Sequence, residues 1–244
     1  MKKIIIYSAN LFQLLWILIL WSPFVFTIYN SKPIGELYTQ LTWWSWTIQC
    51  FFYTFMHLKK SPFYKKIRNK IKYPLTIQKF HKKLPNIEMY VFGIVSGIAW
   101  FVFLEFMYVL YHNPDLVCNE AQLYDNKGIP QIGNIFIHYY IVTATPLWTL
   151  FNFRYLHAKL ENLTEKESYI FSSSWILYVL CYVAYWKFNI IGILKNYHID
   201  NVNLITTGLY LLLMIPSVVN INMIQYYCIV DKFNLCSQCE IIEL

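Results

Sequence analysis

Residues 87–111 read IEMYVFGIVSGIAWFVFLEFMYVLY, an apolar run whose charged residues are Glu88 at its start and Glu105 near its end. At 1.5 Å of rise per residue a helix of this length crosses a hydrocarbon core about 30 Å thick. A run this long with so few charges predicts a transmembrane helix. Working outward, comparable runs occur over residues 4–29, 38–58, 132–153, 169–186 and 204–230. The expected fold class is therefore all-α, a polytopic six-helix transmembrane bundle, with residues 1–244 forming one integral membrane domain. Composition agrees, since 57% of the residues are apolar, 20% aromatic and 14% charged, against roughly a quarter charged in an ordinary soluble domain. The mean hydropathy is +0.39. Gly and Pro number only 7 and 9, and there is no low-complexity block, which excludes collagen-like and disordered classes. No internal repeat is present.

Aromatic rings crowd many span ends, among them Trp43, Trp44, Tyr108, Tyr111, Trp186, Tyr226 and Tyr227, as expected for side chains anchored at headgroup level. The first span follows Lys2 and Lys3, is long, and has Ser22, Pro23 and Phe24 where a small-x-small cleavage site would be needed. It reads as an uncleaved signal anchor. Orientation follows from the basic residues. With the N-terminus cytoplasmic, 16 of the 20 Lys and Arg fall inside and 4 (Lys32, Lys127, Lys187, Lys195) outside. That bias predicts both termini in the cytoplasm.

Ten of the inside charges lie between Lys59 and Lys83, in a basic cytoplasmic loop over residues 59–86 that has no acid before Glu88 and carries Phe63, Tyr64 and Tyr73 between its charges. Beside a membrane the expected partner is anionic lipid headgroups rather than nucleic acid. The outer acids Asp115, Glu120 and Asp125 lack calcium-loop spacing and read as solvated loop. Of Cys50, Cys118, Cys181, Cys228, Cys236 and Cys239, only Cys118 is expected outside, so no outer pair is available for a disulfide. Cys236 and Cys239 form one C-x-x-C, half of a zinc site, and read as free or acylated thiols. Asn162-Leu163-Thr164 fits the glycosylation pattern but falls on the expected inner side.

Ionisable side chains inside a span are costly, and they mark function or pairing. Glu105 lies six residues, roughly 9 Å, inside the outer end of span three, and His138 lies six residues inside the outer end of span four. Thr42 lies four residues, roughly 6 Å, inside span two, in the same leaflet. Thr42, Ser45 and Gln49 recur at i, i+3, i+7, and His138, Thr145, Thr149 and Asn152 at i, i+7, i+11, i+14, so both stripes are expected to face the bundle interior. Such groups serve either as interhelical hydrogen-bond glue or as a nucleophile, a base and an orienting acid. Thr42, His138 and Glu105 could fill those three roles in that order.

The pattern resembles the androgen-induced gene 1 family of multi-pass membrane hydrolases. The residues that carry the resemblance are Leu41 and Thr42 followed by Ile48, Gln49, Phe51 and Phe52; Lys82, Lys83 and Leu84 before span three; Val109 to Tyr111; His138 ahead of Pro146; and Tyr178 to Trp186 leading to Tyr197 and His198. The resemblance covers most of the chain in order and span count. It implies a metal-independent hydrolase of lipid esters, notably fatty acid esters of hydroxy fatty acids, with an intramembrane Thr nucleophile at Thr42 and a His base. The family pattern has two His, eight and five residues before the Pro, the nearer one catalytic. Here those positions are His138 and Ile141. Either His138 does the work, or the pair is broken and the chain is a non-catalytic membrane subunit or scaffold of a larger complex. A small channel or carrier, suggested by Pro146 and Pro216 within spans four and six, ranks last because no inverted repeat accompanies them. No cofactor motif and no metal site is expected. The expected partners are membrane lipids and proteins within the membrane. The expected address is the endoplasmic reticulum or another endomembrane, with the mitochondrial inner membrane as the alternative.

Overall fold

The structure, a computed structural model, describes residues 2–29, 41–61, 64, 66, 86–112, 131–185 and 201–236. Among them the regular elements are all helical: α1 (Lys2–Tyr29), α2 (Leu41–Lys60), α3 (Ile87–His112), α4 (Gln131–Phe151), α5 (Phe153–Leu160), α6 (Glu165–Tyr185) and α7 (Asn201–Cys236). Six long helices coincide with the six apolar runs. By length and composition two of them, over Ile87–Tyr108 and Leu213–Asp231, are able to cross a membrane, and α1 holds a shorter apolar segment at Leu11–Pro23. The other long helices are less apolar, carrying Ser, Thr, Tyr and Trp among their apolar residues. Most of the basic loop (62, 63, 65 and 67–85), the outer loop with Asp115, Cys118, Glu120 and Asp125, and Cys239 lie outside the described residues.

Two local features depart from the reading of the sequence. Span four ends at Phe151, because Asn152 (φ −118°, ψ 17°) leaves the helix and the chain re-enters as the short α5. The Asn152 side chain donates back to Trp148 O at 2.8 Å, a carbonyl that also accepts the Asn152 backbone N–H at 3.0 Å. Helix α6 begins at Glu165, before the expected start at residue 169. There Glu167 N donates to Thr164 Oγ1 (3.3 Å) and Thr164 N to Glu167 Oε2 (2.9 Å), a reciprocal cap that satisfies two otherwise orphaned donors. Pro23, Pro146 and Pro216 all sit within continuous helices. Pro23 cannot bond the carbonyl of Ile19, and Ser22 Oγ supplies the missing donor at 2.7 Å.

Neighbour pairs fix the helix directions. Trp16 packs at a tilt against Tyr53 while Trp46 Nε1 donates to Leu20 O, so α1 and α2 are antiparallel. Phe52 on Phe92 and Lys59 beside Glu88 make α2 and α3 antiparallel. Phe92 on Trp148 and Phe103 on Tyr139 do the same for α3 and α4. Helices α3 and α6 rise together, with Gly93 against Phe171 and Gly97 against Trp175. Through α6 each long helix thus reverses the long helix before it, which sends Lys59, Glu88, Tyr155 and Glu167 to one end and Thr42, Glu105 and Tyr182 toward the other.

Helix α3 is the centre, in contact with α2, α4, α6 and α7. Its closest neighbour is α6. A methyl group added at Gly93 would collide with the Phe171 carbonyl, and one at Gly97 with the Trp175 ring, so glycine sets how near the two backbones come. The core around this contact is aromatic, with Trp46, Tyr53, Phe92, Phe171 and Trp175 all under 2% exposed. Large apolar side chains also cover the outside, including Leu11, Leu18, Phe51, Leu177, Leu213 and Ile224. A helix bundle that is apolar on its inside and its outside has the composition of one solvated by lipid.

Candidate functional site

At the Thr42 end, α2 meets α6. Trp44 lies edge-on to Tyr178 and Tyr182, with ring centroids at 6.0 and 5.5 Å, and Tyr178 OH donates to Trp44 O at 3.0 Å. Glu105 of α3 lies within electrostatic reach of the Tyr182 hydroxyl. Thr42 and Glu105 are both half-buried. His138 is on α4, and its side chain lies outside the described residues. Its neighbour Tyr139 packs on Phe103 and Phe106, at 5.7 and 6.2 Å, and reaches Met107 Sδ, so the turn that carries His138 lies level with Glu105. The three positions therefore share one end of the bundle, on three different helices. Ile141, where the family pattern has its second His, is fully buried among apolar side chains.

Below this level the two polar stripes enter the core. Ser45, Gln49 and Thr145 are fully buried, and Thr149 and Asn152 nearly so. Tyr53 and Thr145 hydroxyls share a hydrogen bond at 2.9 Å, joining α2 to α4. Thr149 Oγ1 donates to Thr145 O at 2.8 Å and accepts from Gln225 Nε2 of α7 at 3.3 Å. Ser96 Oγ of α3 approaches both Gln225 Oε1 (2.7 Å) and Asn222 Oδ1 (2.9 Å). Asn222 Nδ2 completes the line, donating to Gly93 O and Ser172 O at 3.3 Å each. This polar line crosses α2, α4, α7, α3 and α6, and ties each to the next.

Asn222, Gln225 and Ser96 were absent from the residues singled out in the sequence. The signals that could have found them are the G-x-x-x-G spacing of Gly93 and Gly97 around Ser96, and an Asn and a Gln three residues apart inside an apolar span.

The opposite end is ionic. Lys59 pairs with Glu88 across α2 and α3, and Tyr155 OH donates to the other Glu88 oxygen. Lys59 Nζ also sits 5.9 Å from the centre of the Tyr155 ring. Burial, together with the adjoining Glu88 carboxylate, pushes the Tyr155 hydroxyl's pKa up, which keeps it protonated as a donor. Glu167 accepts from Asn86 Nδ2 and Tyr90 OH, both at 3.2 Å, as well as from Thr164. The Thr164 bonds in particular hold its carboxyl below the ordinary range. Among the described residues no group of three or more His, Cys, Asp or Glu could hold a metal ion.

These features define a helical bundle with an aromatic core, a polar line through it, an ionic end and a half-buried Thr–Glu end. No protein-family model, no curated protein and no solved structure matches the chain.

Proposed function

We propose that this chain is a six-span membrane protein of an endomembrane, both termini cytoplasmic, that hydrolyses long-chain lipid esters entering laterally from the bilayer. The alternation of helix direction, the apolar outer surface and the collection of Lys59, Arg154, Lys159 and Lys166 toward one end support the spanning topology. The observation that carries the catalytic reading is the common level of Thr42, Glu105 and the His138 turn, at the end away from the basic residues. In this mechanism Thr42 Oγ attacks the ester carbonyl while His138 takes the hydroxyl proton and passes it to the departing alcohol. Glu105 orients the imidazole and stabilises its charged form. Water then cleaves the acyl-threonine, His138 acting as base again, and the fatty acid leaves. No metal or cofactor takes part in this scheme.

A second reading, a non-catalytic membrane subunit or scaffold, is favoured by one observation, the burial of Ile141 where the resemblance calls for the catalytic His. A base displaced by three residues on a helix moves about 4.5 Å along the axis, and misplacement of 1 Å can cost about a hundredfold in rate. The test is hydrolysis of a panel of long-chain lipid esters by the detergent-purified chain, with fluorophosphonate labelling, in wild type, Thr42→Ala and His138→Ala. Loss of labelling and turnover in both variants supports the hydrolase. A folded wild type that neither labels nor turns over, and that purifies in a stoichiometric complex, supports the scaffold.

A further inference from the structure

Of the two helices apolar enough to cross a membrane, α3 is 56% enclosed by its neighbours over that segment and α7 only 28%. Helix α7 therefore lies at the edge of the bundle and keeps a free flank. On that flank Leu213, Ser217, Asn220, Ile224, Tyr227 and Asp231 are all exposed, spaced alternately by four and three residues, while Met214, Val218, Asn222, Tyr226 and Ile229 face inward. An alternation of four and three is the repeat by which two helices pack along a continuous seam. Asn220 is the unusual member. Exposed hydroxyls of this bundle close on their own helix, Ser22 on Ile19 O, Thr143 on Tyr139 O and Ser217 on Leu213 O, at 2.7 to 3.1 Å. The Asn220 amide makes no hydrogen bond among the described residues. It sits seven residues, roughly 10 Å, from Leu213 and eleven, roughly 16 Å, from Asp231, inside a hydrocarbon core about 30 Å thick. Lipid tails neither donate nor accept, so a bare amide is costly there.

We infer that this flank is a self-association surface whose partner is a second copy of the chain, packed α7 against α7 with Asn220 at the centre. The inference rests on the membrane-spanning part of the proposed function and not on the hydrolase. Copies inserted the same way are related by a two-fold axis along the membrane normal, so each position on the seam meets itself at its own depth. An amide is self-complementary. Each Asn220 Nδ2 donates to the other copy's Oδ1, and the two bonds pair both ends of both amides. Ser217, one turn away and already closed on Leu213 O, is small enough to let the backbones approach. Asp231 closes the segment at headgroup level, where water and salt screen its like-charged counterpart. A lipid chain supplies neither amide bond, and a different protein would have to bring a polar group to the same depth. The amide also fixes register, since any slip along the seam leaves both copies unpaired.

The experiment follows energy transfer between donor-labelled and acceptor-labelled full-length chains in phosphatidylcholine vesicles, over a wide range of lipid-to-protein ratio. Flotation with the vesicles after an alkaline wash verifies insertion, and circular dichroism verifies the fold of each variant. Wild type is expected to dimerise. Asn220→Leu, similar in size but without the amide, is expected to weaken the dimer about tenfold, the effect of two hydrogen bonds of the strength usual between membrane helices. Ser217→Phe, which props the seam apart, is expected to weaken it as well, while Leu177→Ala on the exposed face of α6 leaves it unchanged. A wild type that floats but stays monomeric over the whole range overturns the inference and leaves the flank to lipid. A dimer of unchanged affinity in Asn220→Leu also overturns it, because the copies then meet elsewhere. A monomer that joins a larger complex in native membranes, and loses it in Asn220→Leu, overturns the second copy in favour of a different protein. A chain that does not float removes the spanning reading and the inference together.

Discussion

Replacing Asn222 by Ala tests whether the polar line across the bundle holds the helices together. The side chain is fully buried and makes three hydrogen bonds, to Ser96 Oγ at 2.9 Å and to the Gly93 and Ser172 carbonyls at 3.3 Å. Side-chain hydrogen bonds between membrane helices average about 0.6 kcal/mol and reach about 1.7 kcal/mol. Two of these are long and weak. Truncation leaves little unsatisfied, because Ser96 keeps Gln225 at 2.7 Å and Gly93 and Ser172 lie within helices whose own bonds use their carbonyls. The expected loss is therefore about 1–2 kcal/mol rather than the larger cost of an orphaned buried group. Unfolding of the detergent-solubilised chain by increasing fractions of dodecyl sulfate, followed by circular dichroism, reads the loss. A double-mutant cycle with Ser96→Ala is expected to give a coupling of about 0.6 kcal/mol or more. A neutral Asn222→Ala, or zero coupling with Ser96, would refute the role assigned to this line.

Gly97→Ala is expected to force α3 and α6 apart against the Trp175 ring and to destabilise the chain by about 1–3 kcal/mol in the same assay, whereas an effect near zero would mean the contact is loose. Thr164→Ala removes the cap of α6 and is expected to cost about 1 kcal/mol, seen as earlier loss of helicity on heating. Because the folded protein holds the Glu167 carboxyl below its ordinary value of 4.5, its small stabilising share is present above that value and disappears as pH falls through the lower folded value. Acid unfolding of Glu167→Gln should accordingly lack that component, and an acid profile identical to wild type would count against it. Asn162, whose side chain donates to Ala158 O at 2.8 Å, lies at the ionic end. On expression in microsomes it should stay unglycosylated, and a glycan there would reverse the orientation.

Much of the architecture was legible because long apolar runs have few alternatives to a helix when their backbone must bond internally. The run at residues 87–111 became the central helix, and the stripes from Ser45 to Gln49 and from Thr145 to Asn152 proved buried, since helical periodicity places such residues on one face. Helix ends were less legible. Asn152 and Thr164 set boundaries through side-chain bonds of a kind that hydropathy does not register. Of the candidate site, the common level of Thr42, Glu105 and His138 could be counted from span ends, but the Trp44–Tyr178–Tyr182 aromatic contact beside them could not.

By itself the sequence determined an all-helical, lipid-compatible chain, the order and approximate extent of its helices, and the clustering of most basic residues in a few segments between them. Those properties follow from local periodicity and from solvation of individual segments. Only the tertiary structure decided that α3 rather than another helix lies at the centre, that Gly93 and Gly97 admit α6 against it, that Asn222 and Gln225 close a polar line over five helices, and that Gln49 is buried without a full set of partners. These depend on which faces meet across 76 to 126 residues of sequence. Between apolar helices that choice rests on close packing and a few directional hydrogen bonds, neither of which a one-dimensional hydropathy pattern encodes.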